Sequence, residues 1–260
     1  MKPFTSGAGH VNGTLTARQI YATEIPGFHG EAYTGMVHLS WVTFQQTDQQ
    51  GEDELFRAHE VAHQWWGVGV DFTSYHDQWL SEGFATYFTH LFTEQFGGRD
   101  AFVRGLRADI ATIVTAQKAA PDQPVIHRNL ADMSKVLNRL VYQKAGWVLH
   151  MLRGQIGADA FWRGIREYYR RYRDRNASSD DLRQVMEQVS GRDLRWFFAQ
   201  WLNRGGNPRV HAWRDARGGR QAGVRRRDGV TGGGRDVWYF IEWNGFRPRS
   251  ASLDEPAAQR

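Results

Sequence analysis

His59-Glu60-Val61-Ala62-His63, followed nineteen residues after His63 by Glu82 within Trp79-Leu80-Ser81-Glu82-Gly83-Phe84-Ala85-Thr86-Tyr87, is the stretch that decides the fold. Residues four apart on a helix leave the same face, so the imidazoles of His59 and His63 form a pincer and Glu60 points to one side of it. Glu82, on a second helix, supplies a third ligand. Two imidazoles and one carboxylate with a fourth position left for water are the donor set of a catalytic zinc ion. Glu60 then remains free to act as a base.

Working outward, the spacing predicts a helix that begins at Thr47, capped by Thr47 or Asp48, and ends at Gly67. Glu52, Asp53 and Glu54 fall in its first turns, where carboxylates complement the helix dipole. Leu55, Ala58, Ala62, Trp65 and Trp66 make its packing face, and the tryptophans read as core and pocket wall. A second helix runs from Asp77 to Phe96 and stops at Gly97-Gly98. A third covers Asp100 to Gln117 with Phe102, Leu106, Ile110 and Ile113 in one stripe. Pro121 to Pro124 breaks the chain. Helices over 129–139, 141–156, 158–173, 179–189 and 193–203 follow as a helical array, and the arginines at 166, 170, 171 and 173 read as a solvated face. Upstream, Ile20 to Ile25 and Val37 to Phe44 bracket the Pro26-Gly27 turn as two strands of a small sheet. The fold class is α+β, with a small N-terminal β part ahead of the helices.

Composition sets the boundaries. With 41% hydrophobic and 13% aromatic residues the chain can bury a core, and with no cysteine it offers a metal only His, Asp and Glu. The start has no apolar leader and no eighteen-residue apolar run occurs, so a soluble chain without signal peptide or membrane span is expected, its compartment open. Residues 204–260 hold twelve arginines against six acids, whereas residues 1–203 are nearly neutral. The basic character belongs to the tail, and no specific nucleic-acid partner is expected. Three segments result: a flexible stretch over 1–19, a catalytic domain over 20–204, and an Arg/Gly-rich tail over 205–260. In the tail Val210 to Trp213 and Val237 to Trp243 are strand-like; it reads as a small β appendage, an interaction arm or a segment without its own fold.

HEVAHQWWG (59–67), WLSEGFATY (79–87) and Tyr142-Gln143-Lys144-Ala145-Gly146 together resemble the zinc helix, third-ligand helix and Tyr-Glu-Lys-Gly segment of the gluzincin aminopeptidases, the family of alanyl aminopeptidase and leukotriene hydrolase. The resemblance covers roughly residues 24–210. It implies a thermolysin-like zincin catalytic domain, one Zn2+ per chain held by His59, His63 and Glu82, a peptide substrate, Glu60 as proton acceptor and Tyr142 as the hydroxyl that steadies the oxyanion. The family's Gly-Ala-Met-Glu-Asn strand, whose Glu grips the substrate's free amine, is replaced here by Pro26-Gly27-Phe28-His29-Gly30-Glu31-Ala32-Tyr33-Thr34-Gly35-Met36. Glu31, with Gly30, is the candidate for that role. An aminopeptidase is expected; the alternatives are a peptidase without N-terminal-amine specificity and a zinc-stabilised binding scaffold. The family's flanking domains find no counterpart in the sequence, so the cleft is expected to be open or covered by a partner or by missing sequence.

Overall fold

The computed structural model describes residue 15 and residues 17–45, 52–126, 138–205, 208–213 and 238–243, with only the backbone described at 52–53, 208–213 and 238–243. Most of the stretch expected to be flexible, the cap at Thr47 or Asp48 and the helix over 129–139 lie outside these residues. The N-terminal sheet holds β1 (Tyr21–Ile25), β2 (Glu31–Tyr33) and β3 (Met36–Ser40) in the order β1-β3-β2. β1 runs parallel to β3, and β2 antiparallel to it. Val37 and Leu39, two apart and so on one face, are buried at 2% and 3% exposure.

The second strand was expected to reach Phe44, but it ends at Ser40 and the chain turns into the short helix α1 (Val42–Gln45). Trp41 N–H donates to the Ile25 carbonyl at 3.0 Å and the Thr43 hydroxyl donates back to the Ser40 carbonyl. These bonds close the strand where β propensity alone would extend it. β2, which the sequence pattern did not mark, occupies the loop after the Pro26-Gly27 turn and forms the sheet's edge.

Helix α2 (Glu52–Ala62) packs on β3. It was expected to end at Gly67; the regular helix ends at Ala62 and a series of turns follows, in which Val68 N–H takes the His63 carbonyl and Val70 N–H the Trp65 carbonyl, at 3.1 and 2.9 Å. Of the packing face anticipated, Ala62 and Trp66 are buried in the core and Trp65 packs against it, while Leu55 is 38% exposed. Glu60, and His63 and Gln64 just after the helix, are buried as well. Hydrophobic patterning did not mark these polar groups because their partners are supplied by the tertiary structure.

After β4 (Val70–Phe72), both helices expected around Gly97-Gly98 lie within α3 (Trp79–Ala119), broken at Gly98 by a φ of 80° and ψ of 175°. Of the predicted stripe, Phe102, Leu106 and Ile113 are buried, and Ile110 is 44% exposed. Steps of four residues drift by about 40° around a helix, which carries Ile110 to the stripe's edge.

The chain then passes through a π-helical turn at Leu140–Lys144 into α4 (Ala145–Ile156), α5 (Ala158–Tyr172), β5 (Arg175–Ala177), α6 (Ser179–Ser190) and α7 (Arg195–Trp201). The π turn with α4 covers the helix expected over 141–156, and the ends of α5, α6 and α7 match the expected ones within about two residues, the ordinary scatter of helix boundaries. Ser178 caps α6 in a reciprocal pair with Asp181. Of the arginines read as a solvated face, Arg170 and Arg171 pair with Glu167. In the tail, β6 (Pro208–Trp213) pairs antiparallel with β7 (Trp238–Trp243).

The core gathers around Trp66, Phe84 and Tyr168, all nearly inaccessible to solvent, with the Trp66 and Phe84 rings 4.5 Å apart. Removing one such ring costs about 3–5 kcal/mol. Two tertiary ties orient α3. Its N-terminus is held by Trp79 Nε1–H donating to Ser179 Oγ and by Asp77 accepting from the backbone and hydroxyl of Ser179, at 2.7, 2.9 and 2.6 Å. Against α4 it comes so close that a Cβ on Gly83 would lie 2.5 Å from the Ala145 methyl. That approach carries the π turn, and Tyr142 with it, towards His59.

Candidate metal centre and active site

α2 delivers His59 and Glu60, the turn that follows it delivers His63, and the first turn of α3 delivers Glu82. The structure brings them to one focus. His59 Nε2 and His63 Nε2 lie 3.1 Å apart, and Glu82 Oε2 stands 3.2 and 3.3 Å from them. A tetrahedral ion with bonds of about 2.0–2.1 Å holds its ligand atoms about 3.3 Å apart, so this near-equilateral triangle has the dimensions of a zinc donor set. One ligand atom each from His59, Glu60 and His63 also falls within a 4.8 Å group. That group is looser than the triangle that Glu82 closes with the two imidazoles.

The surroundings settle which nitrogen of His63 faces the focus. Nδ1–H donates to the Trp66 carbonyl at 2.9 Å, with Ser81 Oγ 3.1 Å from the same nitrogen, so Nε2 keeps its lone pair for a metal. Burial opposes protonation of both imidazoles; it wins at His59, whose pKa is lowered, while at His63 the hydrogen bond to Glu82, the charges of Glu82 and Glu60 and the bond to the Trp66 backbone outweigh it. Burial also pushes the Glu82 carboxyl up, but hydrogen bonds from the two histidines overcome this and hold it at about 2. Glu82 is thus an anion at every working pH.

In the metal-free protein, burial pushes the Glu60 carboxyl up to about 7, with His63 opposing and the charges of Glu82 and Glu31 adding. A carboxyl raised in this way binds its proton more tightly folded than unfolded. Its contribution to stability is present below the unfolded value of 4.5 and is lost as pH rises through about 7. Metal-free Glu60→Gln is therefore expected to be more stable than the metal-free parent at pH 8, by up to about 3 kcal/mol, with no difference at pH 4. Urea unfolding at the two pH values measures this, and equal stability at pH 8 would contradict it.

Tyr142 lies against the ligands, its ring 6.0 Å from that of His59, and its hydroxyl is hydrogen-bonded to Glu82. Burial first, then the Glu82 and Glu60 carboxylates, raise its pKa well above that of a free phenol, so it stays protonated and able to donate. Its π-helical setting was not foreseen; such turns break the regular helical register and recur at functional sites.

The edge strand meets this focus from the other side. A Cβ on Gly30 would lie 2.4 Å from the Glu60 carboxylate carbon, so the backbone at Gly30 touches the candidate base with no room for a side chain. Glu31 follows on β2, exposed, and near enough for its charge to act on Glu60. Sequence reasoning missed two residues here. Ser81, beside His63 and the Trp66 carbonyl, had only its place before Glu82 as a signal, and Gln64 had only its place after His63.

Two imidazoles and a carboxylate delivered by a helix pair beside a small sheet define a gluzincin-type metallopeptidase fold. The chain belongs to peptidase family M1: the Peptidase family M1 domain matches residues 39–201. Aminopeptidase M1-C of Oryza sativa subsp. japonica is 28% identical over 203 residues, covering 71% of this chain and 22% of that protein. Leucyl aminopeptidase of Saccharolobus solfataricus is 28% identical over 211 residues, covering 74% of this chain and 26% of that protein. The chain thus spans about a quarter of the length of these relatives. Among solved structures, Legionella pneumophila aminopeptidase A in complex with aspartic acid superposes with a TM-score of 0.63 at 18% identity, over 76% of this chain and 23% of that one. The M1 zinc metallopeptidase from Deinococcus radiodurans gives 0.54 at 24%, over 69% and 38%. These superpositions show the fold. Zinc is the metal the family implies, and the donor set fits it. No described helix is long and apolar enough to cross a membrane.

Proposed function

We propose that this chain is the catalytic part of a zinc-dependent aminopeptidase, with one Zn2+ held by His59, His63 and Glu82. The observation that carries the reading is the 3.1–3.3 Å triangle of ligand atoms with a second, buried carboxylate, Glu60, beside it. Zinc, when bound, supplies Lewis acidity, lowering the pKa of a water and polarising a carbonyl. Glu60 takes the water's proton and returns it to the leaving amine. The protonated Tyr142 hydroxyl donates to the oxygen on which negative charge develops. Glu31, beside Gly30, pairs with the ammonium of the peptide's first residue. Residues 20–204 form the domain that does this, and 205–260 are an appendage to it.

Metal analysis together with turnover of one peptide in free and N-acetylated form tests the proposal. About one zinc per chain and preference for the free amine are expected; metal-free protein that takes up no zinc overturns it. Equal cleavage of both peptides removes the amine specificity and leaves a zinc peptidase. Tyr142→Phe is expected to lower kcat about 10²-fold with zinc content and KM little changed, since the hydroxyl is needed only as charge develops. Near-parental turnover would make Tyr142 a packing residue.

A further inference from the structure

Gln64 follows the second histidine and is 3% exposed, yet its amide does nothing for its own helix. Its Oε1 accepts from the Gly35 backbone N–H at 3.0 Å, and its Nε2 donates to the carbonyls of Tyr33 and Met36 at 2.8 and 3.3 Å. All three partners belong to the tight turn between β2 and β3, where Gly35 has a φ of 72°. The turn's polar groups face a buried surface, where losing a partner costs the full desolvation of the group left behind. Strand β2 is short and is paired only to β3, through Glu31, Ala32 and Tyr33, so its position over α2 needs such a tie. The Tyr33 hydroxyl in turn is hydrogen-bonded to the Glu31 carboxylate. A chain of contacts therefore runs from the residue beside His63, through the Tyr33 backbone and side chain, to Glu31, while Gly30, immediately before that strand, rests on Glu60.

We infer that Gln64 is a positioning residue that clamps the β2–β3 turn onto the metal-binding helix and so fixes Glu31 at the distance from the metal that a free N-terminal amine requires. This rests on the reading of Glu31 as the amine anchor given above. Gln64 touches neither metal nor substrate. It acts by making the edge strand and the ligand helix one rigid piece, so that the spacing between anchor and reacting carbonyl is preorganised.

The test uses the zinc-loaded parent and Gln64→Met, which keeps the volume and removes all three hydrogen bonds. For a free-amine peptide KM is expected to rise about tenfold with kcat changed less than about threefold, while the N-acetylated peptide is cleaved as by the parent and zinc content is unchanged. L-leucinamide binding, measured by calorimetry, is expected to weaken about tenfold as well, and this readout needs no turnover. Equal losses on both peptides, or loss of zinc, would mean that Gln64 merely supports the helix and would overturn the inference. So would unchanged KM and leucinamide affinity, or a parent that binds no leucinamide. A parent that binds leucinamide without cleaving either peptide sinks the peptidase reading alone, and the leucinamide comparison still decides the clamp. If Gln64→Met does not fold, Gln64→Glu takes its place: it keeps the acceptor for Gly35 N–H, sets a carboxylate against the Tyr33 and Met36 carbonyls, and must show the same shift.

Discussion

Replacing Glu60 by Gln is expected to lower kcat on a free-amine peptide by about 10²–10⁴-fold, with the parent's zinc content retained. The substitution keeps size and shape in a space bounded by the Gly30 backbone, where a single added methyl would already collide with the carboxylate. It removes only the lone pair that can accept a proton. Because Glu60 lies outside the triangle of His59, His63 and Glu82, metal retention and loss of rate should separate cleanly. Loss of zinc in the variant would place Glu60 among the ligands instead. Equal and negligible rates in parent and variant, both loaded with zinc, would favour a binding scaffold over an enzyme.

Glu82→Ala is expected to weaken zinc binding by more than the ~10–100-fold that removal of an outer hydrogen-bond partner costs, and to abolish turnover in dialysed protein. Glu82 is the one anion of the proposed donor set, held ionised at about 2 by the two histidines it faces. Without it the imidazoles retain their spacing on α2 but lose both the third donor and the charge that offsets the cation's desolvation. Metal analysis after dialysis against a range of buffered zinc concentrations gives the affinity. A variant that keeps one zinc per chain at the parent's affinity would refute Glu82 as a ligand.

The helices were legible because helical signals are local. The four-residue step from His59 to His63 and the paired glycines at 97–98 act within one or two turns, and no distant partner is needed to read them. Strands β4 and β5 are the opposite case: three residues each, about a hundred apart in the chain, they exist only because Val70–Phe72 and Arg175–Ala177 meet across the fold. β2 escaped notice for a similar reason, since its three residues have too short a pattern to announce a strand and gain their ladder only from β3. At α2 the pattern placed Ala62 and Trp66 inside correctly but also Leu55, which is exposed, and it did not mark Glu60, His63 and Gln64, which are buried in and just after the helix.

By itself the sequence determined that two histidines and a nearby glutamate would stand on two consecutive helices, since side-chain direction along a helix depends only on spacing. Only the tertiary structure showed that Glu82 Oε2 stands 3.2 and 3.3 Å from the two imidazoles, that Tyr142 comes through a π turn to stack on His59, and that Gly30 rests on Glu60 while Gln64 holds the turn behind it. Those are distances between elements far apart in the chain. They are fixed by packing contacts such as Gly83 against Ala145 and by hydrogen bonds such as Trp79 to Ser179, whose partners no local pattern specifies.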